Sequence, residues 1–373
     1  MLEILSTITI TIAGIYFLIG FLLQLGLSKK YNRTKETPAI SVLIAARNEE
    51  KYLPLCLRSL KEQDYPSNLV EIIILNDQST DNTREIALSF CNAYPNFRLI
   101  DIEEERDGLK GKMNVLAQGI DIANGDILLV TDADCIIPQN WVSAITSYFS
   151  EKTGLVAGLT ILDRSGEKVS LFDHLQCIDW LFLQAVASGT AGLGLPVSLL
   201  GNNFGFRKSA YKSFGGYKNM KFSLTEDMAL LQAIHKLNKY DIVYPLNMDT
   251  SINSFPVNRW SDFYKQRRRW AEGGRKTSLW GWLMMIVSFT THLLLLVSII
   301  SLNLIPMAVI GCLLILSTDL FLSIRIFYRL NRLKYLTYFL FYEMFYSLYL
   351  VVFAISLLLP GSIQWKERRY KNI

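Results

Sequence analysis

The stretch ILLVTDAD, residues 127–134, gives a clear indication of the fold, because a short apolar run ends there in two aspartates separated by one residue. Three similar apolar runs precede it, and amphipathic stretches with helical periodicity separate them. Such alternation is typical of βαβ units, in which helices cover a mainly parallel sheet. The sequence therefore predicts an α/β domain with strands near residues 40–46, 70–75, 97–102 and 127–130, and helices near residues 50–63, 83–90 and 112–123.

Polar side chains follow the predicted strands rather than precede them. Arg47–Glu49 come after the first strand, Asp77 after the second, and Asp132–Asp134 after the fourth. In parallel α/β sheets, ligands bind beyond the carboxyl ends of the strands. These residues are therefore candidate ligand contacts at one edge of the sheet.

Asp132 and Asp134 support the most specific chemical hypothesis. Two carboxylates at positions i and i+2 can converge on one hard divalent cation, such as Mg²⁺ or Mn²⁺, and leave coordination sites for phosphate oxygens. A cation there would neutralise the diphosphate that leaves a nucleotide sugar. The alternative is a strand-end turn whose aspartates only cap the next helix. Asp77, one step beyond its strand, is suited to accept hydrogen bonds from a ribose or a base.

Two further segments place charge at predicted helix starts. Thr225, Glu226 and Asp227 precede an amphipathic stretch, where acidic residues favour the helix N-terminus. Alternatively, one of the two carboxylates is a general base for an acceptor hydroxyl. Lys112 opens another predicted helix, where it is either a solvated charge or a phosphate contact.

The basic segment QRRRW, residues 266–270, precedes a long apolar stretch. Such juxtamembrane runs commonly bind lipid head groups. The planar guanidinium of arginine also suits bidentate phosphate binding, and the adjacent tryptophan can stack on a ring. Taken alone, binding to a lipid surface is the simpler interpretation.

Four apolar segments predict membrane spans. Residues 2–27 are almost free of charge and long enough to cross a hydrocarbon core of about 30 Å. They lack the basic start and the small-residue cleavage site of a signal peptide. Beyond Leu279, breaks at Asn303/Pro306 and at residues 325–334 divide the apolar region into spans near 280–302, 304–324 and 335–359.

Basic residues beside the first span predict its orientation. Lys29, Lys30, Arg33 and Lys35 follow this span directly, which places the polar middle of the chain in the cytoplasm by the positive-inside rule. The basic tail conflicts with this rule, because three further spans would carry it across the membrane. A re-entrant or interfacial C-terminal span would remove the conflict.

Composition argues against several other classes. The five cysteines have no CxxC spacing and the three histidines are scattered, so neither a disulfide framework nor a zinc site is predicted. The net charge of +5 is concentrated near the spans and in the arginine run, which fits lipid and phosphate contacts and does not require nucleic acid. An amphipathic stretch at residues 171–187 precedes a glycine-rich run at 188–194, predicted as a mobile or close-packed loop.

Together these motifs resemble the family 2 glycosyltransferases, in the membrane-integrated branch of ceramide glucosyltransferase-like enzymes and, more distantly, cellulose and hyaluronan synthases. The segments SVLIAARNEE, ILNDQSTDNT, GKMNVLAQGI, LLVTDADC, GNNFGFRKSAYKSFGGY, LTED and QRRRW occur in that family's order. The resemblance implies a GT-A domain at residues 38–275, between an anchor at 1–28 and a membrane region at 279–360. Residues 361–373 are a basic tail, where Glu367 departs from the family's glycine.

The resemblance also implies a nucleotide-sugar site. With Lys112 as a phosphate contact, this predicted site comprises Ala46, Arg47, Glu49, Asp77, Lys112, Asp132, Gln266, Arg269 and Trp270. The metal is implied to bind to Asp132 and Asp134, and Asp227 is implied to be the catalytic base.

Other family positions receive weaker assignments. Arg267 and Arg268 occupy the variable positions of the QxxRW motif and are predicted to be surface charges. Residues 201–203 are similar to a loop that lines the acceptor side in the family.

The expected activity is transfer of a sugar from a UDP-sugar to a hydroxyl of a membrane lipid, with inversion at the anomeric carbon and a divalent cation. A processive polysaccharide synthase is the alternative enzyme, although three C-terminal spans offer little enclosure for a growing chain. A non-catalytic membrane subunit that binds a nucleotide sugar is the alternative from another class. The sugar and the lipid stay open.

Overall fold

A computed structural model of the 373-residue chain describes residues 2–164, 169–300, 306–356, 363–365 and 368–370. The chain divides into two compact units. We call the first the sheet unit; it comprises Lys30–Asp163 and Ser198–Phe255. The second, the helical unit, comprises Met1–Lys29, Arg164–Val197 and Pro256–Ile373.

The described residues contain eleven strands and twelve α-helices. The strands are β1 Ile40–Ala46, β2 Val70–Asn76, β3 Phe97–Asp101, β4 Ile127–Asp132, β5 Thr153–Ala157, β6 Leu159–Leu162, β7 Asn203–Arg207, β8 Asp241–Val243, β9 Ser251–Ser254, β10 Ile363–Trp365 and β11 Arg368–Tyr370. The helices are α1 Leu2–Leu27, α2 Leu53–Lys61, α3 Thr83–Ala93, α4 Gly111–Ile122, α5 Trp141–Thr146, α6 Leu171–Gly192, α7 Lys208–Ser213, α8 Glu226–Lys236, α9 Trp260–Gly274, α10 Leu279–Ile300, α11 Pro306–Arg329 and α12 Phe339–Ser356.

The main sheet has seven strands in the order β3-β2-β1-β4-β7-β5-β8. Four neighbouring pairs are parallel, but β7 runs antiparallel to both β4 and β5. The sheet is therefore mixed but mainly parallel, as predicted, and the pairs among the four predicted strands are all parallel. The register pairs Thr131 with Asn203, so that β7 begins beside the carboxyl end of β4.

The four predicted strands and the three predicted helices of the first 130 residues are all present. The apolar runs of β1, β2 and β4 are buried on both faces of the sheet, as expected for parallel strands covered by helices, whereas the edge strand β3 is only partly buried. The helix predicted at residues 50–63 begins only at Leu53 and carries Pro54 in its first turn. Proline favours a helix start, since its missing N–H would have no partner there.

The helical unit contains four helices that are long and apolar enough to cross a membrane: Ser6–Leu27, Leu279–Ile299, Ala308–Arg329 and Leu333–Ser356. They confirm one N-terminal and three C-terminal candidate spans. The last one starts as a 3₁₀ turn at Leu333–Tyr338 and continues as α12. The predicted break at Asn303, and Lys366 and Glu367 of the tail, lie outside the described residues.

The glycine-rich run is not a loop but forms the end of α6, packed closely against α1. A Cβ atom added to Gly192 would lie 2.0 Å from the Gly26 carbonyl oxygen, and one added to Gly26 would lie 1.9 Å from that of Gly189. Small residues of this kind let two helix backbones touch, which strengthens packing in membranes. Of the two predicted alternatives, the close-packed one is therefore right.

We expect Gly192→Ala to destabilise the helical unit by about 2 kcal/mol, because the added methyl group meets backbone that cannot move aside. The midpoint of denaturant-induced unfolding in detergent measures this change. Gly14→Ala is the matched control, since no atom lies within 4 Å of a Cβ added at Gly14 in the described residues. Equal midpoints for both variants would contradict the backbone contact.

Candidate active site

The carboxyl ends of β1 and β2 are held together by hydrogen bonds that fix four predicted site residues. The Asp77 amide donates to the Ala46 carbonyl at 2.8 Å, and the Arg47 guanidinium donates to the Asp77 carbonyl at 2.8 Å. The Glu49 amide donates to the Thr83 hydroxyl at 2.7 Å, at the start of α3. Asp77 is buried at this edge of the sheet, with only 4% of its surface exposed.

Asn48 joins the same two chain ends by a different device. Its φ of 53° is a left-handed conformation that asparagine tolerates better than most residues. Its side-chain oxygen accepts from the Thr80 amide at 2.8 Å, and its own amide donates to the Ser79 hydroxyl at 3.2 Å. Asn48 therefore shapes the loop, and its neighbours Arg47 and Glu49 are positioned by it.

Asp132 ends β4, and Asp134 lies two residues beyond it. The thiols of Cys56 and Cys135 contact them, at 3.7 Å from the Asp132 carbonyl oxygen and 3.8 Å from Asp134 Oδ1. Burial, reinforced by the two aspartates, raises the pKa of both thiols far above their usual range. The thiols therefore stay protonated, and the groups that could hold a metal here are carboxylate oxygens, which would suit Mg²⁺ or Mn²⁺.

Lys112, near the start of α4, bridges two acidic segments. Its ammonium nitrogen lies 2.6 Å from Asp132 Oδ1 and 3.3 Å from Glu226 Oε1, and it donates to the Gly201 carbonyl at 3.1 Å. Burial lowers the pKa of this ammonium, but the charges of Asp132, Glu226 and Asp227 outweigh burial and hold it well above its usual value. Lys112 is thus not a solvated charge but the cation of an acidic cluster.

The acidic start of α8 does more than cap its helix. Thr225 occupies the N-cap position, yet its side chain makes no capping bond and lies 3.3 Å from the Ser223 hydroxyl instead. Glu226 turns to Lys112, which the sequence did not predict. Lys112 and Glu226 are far apart in the sequence, so no local pattern marks them as partners. Only the fold reveals this contact.

Asp227 is held against the loop before β7. One of its carboxylate oxygens lies where a Cβ atom on Gly201 would be only 2.5 Å away. Only glycine permits this approach, which explains the first residue of the GNN segment. Asp227 is largely buried, with 9% of its surface exposed, and its other oxygen accepts from the Met228 amide at 2.8 Å.

The two asparagines of the GNN segment have structural contacts. Asn203 donates to the carbonyls of Leu159 and Thr250 and accepts from the Trp141 indole at 2.9 Å. Asn202 accepts from the Thr160 hydroxyl at 2.9 Å. These buried bonds fix the loop that carries Gly201 beside Asp227.

The QxxRW motif lies on α9, in the helical unit. Gln266, Arg269 and Trp270 are all partly buried there. The Trp270 ring packs against Trp180 at 4.9 Å between centroids. Gln266 accepts a hydrogen bond from Arg267 at 3.2 Å. The three predicted residues therefore sit in a packed environment within their own unit.

Arg267 is not a surface charge, which corrects the prediction for this variable position. It is 5% exposed and forms a charged hydrogen bond with Asp179 of α6, which also accepts from the Tyr349 hydroxyl of α12. Its guanidinium lies 4.2 Å from the Trp270 ring centroid. Burial raises the pKa of Asp179 although Arg267 opposes it, so the paired charges carry a desolvation cost.

Comparison with known sequences finds a known domain in the middle of the chain. Residues 41–214 match the family model of Glycosyl transferase family 2, so the chain carries a glycosyltransferase family 2 domain. A probable glycosyltransferase of Bacillus subtilis is 28% identical over 252 residues, which are 65% of this chain and 56% of that protein. A beta-monoglucosyldiacylglycerol synthase of Nostoc is 29% identical over 252 residues, 66% of this chain and 51% of that protein.

A poly-beta-1,6-N-acetyl-D-glucosamine synthase of Staphylococcus aureus is 30% identical over 273 residues, which are 72% of this chain and 62% of that protein. The chain thus spans about half the length of the first relatives it matches. The names of the last two relatives give different products, a glucosyldiacylglycerol and a poly-N-acetylglucosamine. Sequence similarity therefore supports the family and leaves the acceptor open.

One solved structure supports the fold over nearly the whole chain. It is a mannosyltransferase from Pyrobaculum calidifontis in complex with GDP-Man and Mn²⁺, with a TM-score of 0.61 and 18% identity. The match covers 95% of this chain and 99% of that one. The predicted fold class, a GT-A-like α/β domain with one N-terminal and three C-terminal candidate spans, is confirmed.

We expect Arg267→Met to lower the stability of the helical unit by about 3 kcal/mol, because it leaves the buried Asp179 carboxylate without its cation. Asp179→Asn should have a similar effect, and the double variant should lose less than the sum of the two. Denaturant-induced unfolding in detergent measures all three. Arg268→Met is the control on the same helix, and an equal loss for Arg268→Met would contradict the special role of Arg267.

Proposed function

We propose that this chain is an inverting glycosyltransferase that moves a sugar from a nucleoside diphosphate sugar, a UDP-sugar, to a hydroxyl of a membrane lipid. The observation that carries the proposal is the acidic cluster around Lys112. It joins Asp132 to the start of α8 at the carboxyl edge of the sheet, where α/β domains bind ligands. The family 2 domain and the four apolar helices agree with this function.

The formal charge of this edge argues for a divalent cation as cofactor. Six carboxylates and two cationic side chains gather here, a sum of −4: Glu49, Asp77, Asp132, Asp134, Glu226 and Asp227 against Arg47 and Lys112. A diphosphate adds further negative charge. Asp132 and Asp134 are proposed to hold Mg²⁺ or Mn²⁺, which would supply electrostatic stabilisation of the departing diphosphate.

The remaining donor contacts are proposed from the residues at the ends of β1 and β2. Asp77, with Ala46, Arg47 and Glu49 around it, would bind the nucleoside. Lys112 forms an ion pair with Asp132. With a donor bound, its ammonium would remain next to the diphosphate and support its negative charge.

Asp227 is proposed to be the general base. It would take the proton from the acceptor hydroxyl while the resulting oxygen attacks the anomeric carbon from the face opposite the departing nucleotide, which inverts the configuration. A base needs a fixed orientation. The close fit of Asp227 against Gly201 supports that requirement, and Glu226 is already engaged by Lys112.

A lipid acceptor is supported by the candidate spans and by the similarity to a glucosyldiacylglycerol synthase. The similarity to the poly-N-acetylglucosamine synthases favours a second candidate, a processive polysaccharide synthase. We place the catalytic domain in the cytoplasm, supported by the basic residues Lys29, Lys30, Arg33 and Lys35 after the first span.

The direct test incubates the purified protein with UDP-sugars and GDP-sugars and with membrane lipids, and identifies products by mass spectrometry. A single glycolipid made from a UDP-sugar supports the proposal. A ladder of many sugars would favour the polysaccharide synthase, and exclusive use of GDP-sugars would overturn the donor. Intact cells should not use externally added donor, whereas permeabilised cells should, if the site is cytoplasmic.

We expect Asp227→Asn to abolish transfer while UDP still binds, because the amide cannot accept the proton. The expected loss of kcat is about 10²-fold or more. Gly201→Ala, which pushes the Asp227 carboxylate aside, should lower kcat with little change in donor KM. Full activity of Asp227→Asn would exclude it as the base.

The proposed role of the QxxRW motif predicts a difference between neighbouring arginines. Arg269→Ala should abolish transfer, because the resemblance assigns this guanidinium to the diphosphate, and one such charged contact contributes about 10²-fold to kcat. Arg268→Ala should retain most activity. Rates measured at saturating donor compare the two variants, and equal losses would remove the assignment of Arg269.

A further inference from the structure

A second cluster of polar side chains lies inside the helical unit, with one residue from each candidate span. These residues are Tyr16 on α1, His292 on α10, Asp319 on α11 and Glu343 on α12. Each lies within three residues of the middle of its span. His292 and Asp319 are fully buried and Glu343 is 2% exposed. Ionisable groups at such a depth are costly and are normally functional.

The hydrogen bonds of His292 determine which ring nitrogen carries a proton. Nδ1 lies 2.7 Å from the Ser288 carbonyl oxygen, which can only accept, so Nδ1 carries a proton. Nε2 lies 3.2 Å from Asp319 Oδ2. In a neutral ring, Nε2 presents a lone pair to this carboxylate, and the contact is repulsive unless positive charge lies between them.

Glu343 adds a second carboxylate to the same point. One ligand atom each from His292, Asp319 and Glu343 lies within 4.8 Å of the other two. Among the residues that the structure describes, neither oxygen of Glu343 has a hydrogen-bond partner, and neither carboxylate pairs with a lysine or arginine. Two carboxyl groups thus meet in an apolar bundle with the His292 ring beside them. Two carboxylate charges at this point would be an expensive arrangement without further positive charge.

We propose that His292, Asp319 and Glu343 bind a divalent transition-metal ion of the Zn²⁺ class that fastens the membrane helices together. A doubly charged ion balances the two carboxylates. The 3.2 Å between Nε2 and Oδ2 matches two ligands of one tetrahedral Zn²⁺, whose bonds of about 2.0–2.1 Å place neighbouring ligands roughly 3.3 Å apart. A mixed imidazole and carboxylate set suits such an ion better than Mg²⁺, which prefers oxygen ligands and retains several waters.

The neighbours of the three proposed ligands hold them in place by hydrogen bonds, as the groups around metal ligands commonly do. The Ser288 carbonyl fixes the tautomer of His292, and the Tyr16 hydroxyl donates to Asp319 Oδ1 at 2.5 Å, leaving Oδ2 for the ion. Metal-bound imidazoles usually donate their other N–H to a carbonyl in this way. The scattered histidines predicted no zinc site, because the three ligands are far apart in sequence and only the bundle brings them together.

The test measures the metal content of the full-length protein purified in detergent. Asp132→Asn/Asp134→Asn serves as the background, so that a cation at the proposed catalytic site does not contribute. We expect about one equivalent of zinc to remain after brief chelation, and X-ray absorption should show one imidazole nitrogen with oxygen ligands at about 2.0–2.2 Å. This spectroscopic readout needs no substitution within the bundle.

Substitution then identifies the ligands. Glu343→Gln and Asp319→Asn should each lower the retained zinc at least about tenfold. Thr291→Val is the matched control, because Thr291 is buried beside His292 and its near-isosteric replacement should leave the zinc unchanged. The proposal is overturned if the Asp132→Asn/Asp134→Asn background protein holds no stoichiometric metal. It is also overturned if both ligand variants retain the zinc, or if the X-ray absorption spectrum shows no imidazole ligand. A protonated carboxylic acid seen by infrared spectroscopy in metal-free protein would assign a shared proton instead.

Discussion

The ammonium of Lys112 is the positive charge that holds together the acidic residues at the carboxyl edge of the main sheet. The arrangement of this edge depends on it. It contacts Asp132 at the end of β4, Glu226 at the start of α8, and the carbonyl of Gly201 in the loop before β7. Each of these elements comes from a different part of the chain. Without this cation, the carboxylates would repel one another in a partly buried site, and the geometry around Asp227 would lose its support.

The helical unit also contains a buried carboxylate that is stabilised by a cationic side chain. Arg267 joins α9 to Asp179 of α6, and Tyr349 of α12 donates to the same carboxylate. The helix that carries the QxxRW motif is therefore joined to α6 by a buried ion pair. The same Asp179 carboxylate connects both helices to α12 through the hydrogen bond from Tyr349. Arg267 occupies a variable position of the motif, yet it is deeply buried here because it joins the helix of the motif to α6.

The sequence predicted those parts of the fold that depend on local pattern. Strand-length apolar runs and helical periodicity predicted β1 to β4 and the helices between them, and the order of the motifs predicted the family. It did not predict β7. The run NFGFR has only five residues, and its pattern does not indicate in which direction the strand runs. It also missed the partners of Lys112 and Arg267, since long-range ion pairs leave no trace in local sequence. The roles of the individual site residues stay predictions.

The negative formal charge of the proposed site residues at the carboxyl edge of the sheet would constrain how a nucleotide-sugar donor binds. The proposed site residues at this edge comprise six carboxylates and two cationic side chains; Lys112 contacts the Asp132 carboxylate and Arg47 the Asp77 carbonyl. A diphosphate would therefore meet a site of its own sign unless a cation arrives with it, so the cation and the donor should bind together rather than independently. Within the helical unit, the buried pair of Arg267 and Asp179 fixes the helix that carries Arg269. Under the proposed function, the acidity of the site would select for a metal-bound nucleotide sugar over the free anion.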